Sequence, residues 1–399
     1  MEIKVVKGGI CASEGVRAYG IKEGNKGLAV IEGEGKAVGM FTSNKIKAAP
    51  VRFTKKQLEK GRIRAIIANS GCANSFTGEK GMRNAERMAE LAASVLGIER
   101  EEVVVASTGP IGVHLDMGLI ERQLGEVVKQ LTAEERGSSA AAQAIMTTDT
   151  FPKEKAICIE LGNEEQVVIG GIAKGSGMIF PHLGLATMLS FIYTDASVEE
   201  EVLRRSLKEA VDQSFNMVVV DGDMSTNDMV VLVSTGRGVL VSEDGFKTGL
   251  QFVCQELAKL IAKDGEGATK FIEVKVKGAT SIGDAREVAR SILRSPLVKS
   301  AIQGERPDFM CGRIIAAIGS SAIAGDVDPR GISIRIKRDT EVIAVKNGAF
   351  MDLSGVAREI MKGRTICIEV DLGTAEAGEA TAWGCDLSSE YVRINAGVH

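Results

Sequence analysis

Short β-branched apolar runs alternate with helical stripes along this chain, and that alternation restricts it to mixed α/β architectures. Val103–Ala106, Val167–Ile169, Val218–Val220 and Met229–Val233 have the length and composition of buried strands. Other runs alternate with period two. Ile272, Val274 and Val276 oppose Glu273, Lys275 and Lys277; Ile332, Ile334 and Ile336 oppose Ser333, Arg335 and Lys337. Such patterns predict sheets with one buried and one wet face. Between the strands, Ala85, Met88, Ala89, Ala92 and Leu96 share one helical stripe. Val202, Leu203, Leu207 and Val211 form a second, entered through Ser197 and the acidic run Glu199–Glu201, which suits a helix N-terminus. Phe252, Leu257, Leu260 and Ile261 mark a third, and Val288, Ile292 and Leu293 a fourth. Helices packed on mostly half-buried sheets are expected. The glycine-rich stretch 170–184 is the best candidate for an internal boundary.

Length and composition exclude several classes. At 399 residues the chain is long enough for more than one core. A net charge of −4 and an aromatic content of 4% argue against a nucleic-acid partner. No apolar run reaches the length of a membrane span, and Met1–Lys4 lacks a signal-peptide core, so a cytoplasmic location is expected. The seven cysteines are scattered without CxxC spacing, which suggests neither disulfides nor zinc. Three histidines are few for a Ser-His-Asp hydrolase or a histidine-rich metal site. No metal and no cofactor are expected.

The stretch Gly171–Ile179, followed by Ala186-Thr187-Met188-Leu189, carries distinctive chemistry. A lysine and several glycines lead to a small residue, a threonine and an apolar run. Small residues let the backbone bend sharply, and Ala186 leaves its carbonyl open to attack by the Thr187 hydroxyl. Met188–Tyr193 reads as a buried strand that would hold a new N-terminus rigidly. A freed N-terminal threonine is a complete nucleophile: its α-amine, with an ordinary pKa of about 7.7–8.0, accepts the proton of its own hydroxyl. Read alone, Ala186-Thr187 is an ordinary loop-to-strand junction, and it is the surrounding pattern that points to self-cleavage.

Four further segments are polar turns at strand or helix ends. Ser107–Gly112 follows a strand, and its exposed amides with the Thr108 hydroxyl could form an oxyanion hole or a turn before a helix. Asp221–Asp228 has three carboxylates but not the EF-hand spacing, and reads as a turn between strands that lines a site. Glu266, between glycines, could offer a carboxylate to a ligand amine or simply cap a helix. Asn69–Asn74 is a turn or a pocket wall, and nothing nearby in sequence would lower the Cys72 pKa. Neither a Walker A loop nor a dinucleotide fingerprint is present.

Together, GIAKGSGMI, ATMLSFIYTDA, STGPIG, MTTDTFPK, DGDMSTND, DGEGATKFIEV and WGCDLSSEYVRIN resemble the ornithine acetyltransferases, the ArgJ family of glutamate N-acetyltransferases in arginine biosynthesis. The resemblance runs from Gly8 to Asn395. It implies a helix–sheet–sheet–helix sandwich of the DmpA-like type, unrelated to the Rossmann fold. It also implies self-cleavage between Ala186 and Thr187 into an α chain, 1–186, and a β chain, 187–399, with two such pairs associating. Thr187 would take the acetyl group of N2-acetyl-ornithine as an ester and pass it to glutamate in a ping-pong cycle. Thr108 and Gly109 match the family's oxyanion-hole positions. Thr147, Lys174, Thr187, Glu266 and Asn395 match its substrate-binding positions.

Three departures from the family pattern stand out. Pro181–Leu185 makes the approach to the cut longer than usual, so cleavage could be slower or differently triggered, and His182 lies within that loop. The chain ends at His399, short of a hydroxyl-bearing residue that contacts substrate in relatives. Arg306–Arg313 differs from the usual Asp-Pro-Asn-Trp-Gly-Arg without evident consequence. Two alternatives stay open: a self-processing aminopeptidase or amidohydrolase of the same architecture, and a bifunctional enzyme that also uses acetyl-CoA. No acetyl-CoA signature is readable, so ornithine-dependent transfer alone is the leading expectation.

Overall fold

A computed structural model describes residues 2–162, 165–180, 188–353 and 355–397. The protein is a mixed α/β structure with two sheets. Its chain forms two compact units. The first comprises Met1–Asn216 and Asp223–Leu257, and the second Met217–Gly222 and Ala258–His399.

The first unit holds a nine-stranded sheet. Its strands are β1 (Glu2–Val6), β2 (Arg17–Glu23), β3 (Lys26–Phe41), β4 (Arg62–Ser70), β5 (Val103–Ser107), β6 (Lys153–Gly162), β7 (Glu165–Lys174), β8 (Leu189–Thr194) and, after β9 (Val218–Val219) of the second unit, β10 (Met229–Ser234). The spatial order is β1-β6-β7-β8-β10-β3-β4-β5, with β2 also paired to β3. β5, β8 and β10, whose runs read as buried strands, are buried along their whole length. The reason is that both faces of this part of the sheet are covered. Val103 and Val105 of β5 pack with Ala85, Met88 and Ala92 of helix Gly78–Leu96 and with Ile120 and Leu124 of helix Met117–Val127. Val104 and Ala106 point the other way, into a core with Ile66, Phe191, Val231 and Ala141. Strands buried on two faces read as continuous apolar runs rather than alternating ones. The free edge of β5 is closed by Thr54, whose hydroxyl donates to the Val105 carbonyl (2.7 Å) and accepts from its amide (2.9 Å).

The second unit holds a seven-stranded sheet. To β9 it adds β11 (Phe271–Ala279), β12 (Ser333–Lys337), β13 (Glu341–Lys346), β14 (Ala349–Phe350), β15 (Thr365–Asp371) and β16 (Gly378–Cys385). Here the period-two expectation is met. Ile272, Val274, Val276, Ile334 and Ile336 are buried. The opposite face carries ion pairs such as Lys275–Glu273 (3.1 Å) and Lys337–Glu369 (2.8 Å). Ser281 caps helix Ile282–Arg294 by accepting from the Asp284 amide, and that helix buries Val288, Ala289 and Ile292.

Candidate active site

β7 and β8 form an antiparallel pair in which Lys174, the last residue of β7, faces Leu189, the first of β8. Facing Cα atoms in such a pair are about 4.5–5.5 Å apart. Lys174 is therefore held opposite the residue that follows Met188. Ala186, Thr187 and His182 lie outside the described residues.

Lys174 is 2% exposed, and its ammonium donates to the Thr147 hydroxyl at 2.8 Å. Both residues meet at Asp149, which sequence reading did not single out. The Asp149 carboxylate pairs with Lys153 at 2.7 Å and Lys174 at 3.7 Å. It also accepts the amides of Gly175 (2.7 Å) and Thr147 (3.0 Å). Burial works against its charge, but Lys174, Lys153 and these hydrogen bonds hold its carboxyl well below the usual carboxylate range. One carboxylate thus lies between two buried ammonium groups. The signal in the sequence was a lysine four residues after an aspartate, Asp149 and Lys153, which resembles a surface pair until both prove buried.

Thr108 and Gly109 follow β5, which runs parallel to β4 with Ser107 facing Asn69. The Thr108 amide donates to the Asn69 carbonyl (3.0 Å) and the Cys72 amide to the Thr108 carbonyl (3.0 Å). Gly109 has φ +135°, and a Cβ there would lie 2.5 Å from the Cys72 nitrogen, so only glycine fits. Thr108 is 1% exposed, yet its Oγ1 has no hydrogen-bond partner among the described residues. A buried hydroxyl with an unspent donor is rare and suits a group that waits for a transient negative charge. Burial pushes the Cys72 thiol above its ordinary pKa.

The end of the turn 221–228 bonds to both of these parts. Asn227 donates from Nδ2 to the carbonyls of Ser107 (2.8 Å) and Ala73 (2.6 Å), and so ties the Thr108 turn to its own loop. The next residue, Asp228, accepts the Met188 amide at 2.6 Å. Among the described residues no group of three or more His, Cys, Asp or Glu side chains could hold a metal ion.

In the second unit Glu266 and Asn395 meet. Asn395 Nδ2 donates to Glu266 Oε2 at 2.7 Å and to the Tyr391 carbonyl at 3.0 Å. Asn395 ends helix Ser389–Asn395, which Ser388 caps. Ser388 also donates to the Gly267 carbonyl (2.6 Å), which docks the helix start against the Glu266 turn. Gly267 has φ +69°, and a Cβ there would lie 2.5 Å from the Tyr391 nitrogen.

Among the described residues no helix is long and apolar enough to cross a membrane. A glutamate N-acetyltransferase of Methanosarcina mazei is 50% identical over 401 residues, which cover 99% of each chain. An arginine biosynthesis bifunctional protein ArgJ of Symbiobacterium thermophilum is 46% identical, covering 90% of this chain and 88% of that one. The solved structure of a bifunctional protein argJ from Bacillus halodurans is 40% identical and covers 51% of this chain and 96% of that chain, with a TM-score of 0.47. The signature of the ArgJ family matches residues 13–398, and with relatives this similar along their full length the chain belongs to the ArgJ family.

Proposed function

We propose that the protein transfers the acetyl group of N2-acetyl-L-ornithine to L-glutamate and thereby returns ornithine and N-acetylglutamate in arginine biosynthesis. As a family member it is an acyltransferase. The observation that carries the reading is the buried Lys174–Thr147–Asp149–Lys153 cluster at the end of β7, opposite the first residue of β8, Leu189. Donor and acceptor are both amino acids with an α-carboxylate, and the Lys174 ammonium beside the Thr147 hydroxyl suits that group in each half-reaction. Glu266 and Asn395 offer a carboxylate and an amide, the chemistry that suits an ornithine amine or the acceptor's amino group.

In the proposed cycle the precursor first cuts itself between Ala186 and Thr187. The Thr187 α-amine then takes the proton of its own hydroxyl as the hydroxyl attacks the acetyl carbonyl. The Thr108 hydroxyl and the Gly109 amide stabilise the oxyanion. Ornithine leaves with the proton, the ester remains on Thr187, and glutamate reverses the steps. The α chain, 1–186, and the β chain, 187–399, stay together because the nine-stranded sheet interleaves them. β7 pairs with β8, and β10 with β3, across the cut. Two such pairs in the cytoplasm complete the expectation carried by the family resemblance.

Exchange of labelled acetyl from N2-acetyl-ornithine to glutamate, without net hydrolysis, tests the reading. Acetate as the main product would favour the hydrolase alternative.

A further inference from the structure

Asp386, the first residue after β16, is buried. Its carboxylate accepts the amides of Thr269 (2.8 Å) and Lys270 (2.9 Å) and also the Thr269 hydroxyl. Its own amide donates to the Lys270 carbonyl (3.2 Å). Three hydrogen bonds to one buried carboxylate make a strong clamp, because bonds to a charged acceptor are roughly twice as strong as neutral ones. The clamp closes just beyond Glu266, and the neighbours of Asp386 hold the rest of that turn. A Cβ on Gly265 would lie 2.5 Å from the Cys385 sulfur, so Cys385 lies tight against the start of the turn. The Ala268 amide closes the turn on the Gly265 carbonyl (2.8 Å), and Ser388 holds the Gly267 carbonyl at its middle (2.6 Å).

The same segment carries Asn395. Helix Ser389–Asn395 has seven residues and buries none of them. A helix this short is marginal on its own and takes its place from its attachments. Its start is fixed at Ser388, and its last residue, Asn395, reaches Glu266 Oε2 at 2.7 Å. Glu266 is buried, and its Oε1 accepts no hydrogen bond among the described residues. Resting on the reading above that Glu266 and Asn395 hold a substrate amine, we infer that Asp386 is the positioning residue of that pair. It bonds to neither side chain. It fixes the turn that carries Glu266 and the start of the helix that carries Asn395 against each other, so the geometry of the pair stands before the amine arrives.

Preorganisation of this kind raises affinity by removing the ordering cost of binding. An amine that moves onto Glu266 gives up its water shell, and the exchange is favourable when the receiving oxygen already stands at bonding distance. Without the clamp, the ligand itself must order the turn and the helix. That cost falls on substrate affinity more than on the acetyl-transfer step. A hydrogen bond to a charged group is strong enough that misplacing one weakens binding roughly 10-fold or more.

The test is a double-mutant cycle read by steady-state acetyl transfer from N2-acetyl-ornithine to glutamate. It compares wild type, Glu266→Ala, Asp386→Asn and the double variant. Asparagine keeps the shape of Asp386 but removes the charge and one acceptor oxygen. The expected result is that Asp386→Asn raises the same KM that Glu266→Ala raises, by about 10-fold or more, with kcat changed less. In the double variant that KM should match Glu266→Ala alone within about two-fold, because Asp386 acts through Glu266. Single effects that multiply in the double variant would overturn the inference, as would a KM in Asp386→Asn within about two-fold of wild type. If Asp386→Asn does not fold, Thr269→Val replaces it in the cycle, since it removes only the hydroxyl bond to Asp386. A rise of about three-fold or more in the same KM, absent in the Glu266→Ala background, supports the inference, and an unchanged KM refutes it. Unchanged kinetics in Glu266→Ala itself would instead refute the amine-binding reading, and the inference with it.

Discussion

Thr108→Val separates a catalytic hydroxyl from a structural one, because the two roles predict opposite signs. Valine keeps the shape and removes the hydroxyl. The threonine is 1% exposed and its Oγ1 has no partner among the described residues, so its loss breaks no visible hydrogen bond. Removing a buried, unsatisfied polar atom is neutral or stabilising, by up to about 1 kcal/mol. That corresponds to an unchanged melting temperature or a rise of about 2–4 °C. Catalysis moves the other way. Loss of one oxyanion-hole donor costs about 2.7–4 kcal/mol of transition-state stabilisation, a fall of roughly 10²- to 10³-fold in kcat. The assay pairs acetyl transfer by fully processed protein with a thermal melt of the same sample. Activity within a few-fold of wild type would refute the oxyanion assignment. A melting point several degrees lower would show that the hydroxyl has a structural role.

Three other perturbations have defined outcomes. Lys174→Met removes one of two ammonium groups from Asp149 but leaves the Lys153 pair at 2.7 Å; the charge-assisted contact it would make with a substrate carboxylate is worth about 1.5–3 kcal/mol, so kcat/KM for N2-acetyl-ornithine and for glutamate should each fall roughly 10- to 150-fold, and steady-state kinetics with each substrate checks it. Gly267→Ala meets both a positive φ and the Tyr391 nitrogen, so the turn must shift away from Asn395; acceptor affinity should weaken with kcat less affected, as a KM-against-kcat comparison reads. The depressed Asp149 carboxyl contributes stability that is present above its ordinary pKa of about 3.9 and lost as pH falls through and below that value; Asp149→Asn should lower stability near neutral pH and flatten its decline under acid, which denaturation at several pH values measures.

Much of the scaffold was legible because its signals are local. The runs 103–106 and 229–233 are strands, and the stripes through Met88 and Val288 are helical faces. The burial of 103–106 and 229–233 was legible in their continuous apolar runs. Which element covers each face was not: helix Gly78–Leu96 packs against Val103 and Val105. Thr108 and Glu266 were offered by their turns as one of two readings each, and their roles, with Gly109, Thr147, Lys174 and Asn395, were reached through the family resemblance. The structure brings Thr147 to Lys174 and Asn395 to Glu266. Asp149, Lys153 and Asp228 were missed because their meaning is nonlocal. Asp228 closes a polar turn in sequence, and its partner, the Met188 amide, lies 40 positions away.

Intact mass spectrometry of the purified protein, before and after brief exposure to N2-acetyl-ornithine, tests the central claim most directly. The account predicts two chains divided between Ala186 and Thr187, with the second heavier by one acetyl group after exposure. A single uncut chain that still transfers acetyl would contradict it, and two chains that never take up the acetyl group would contradict the covalent step.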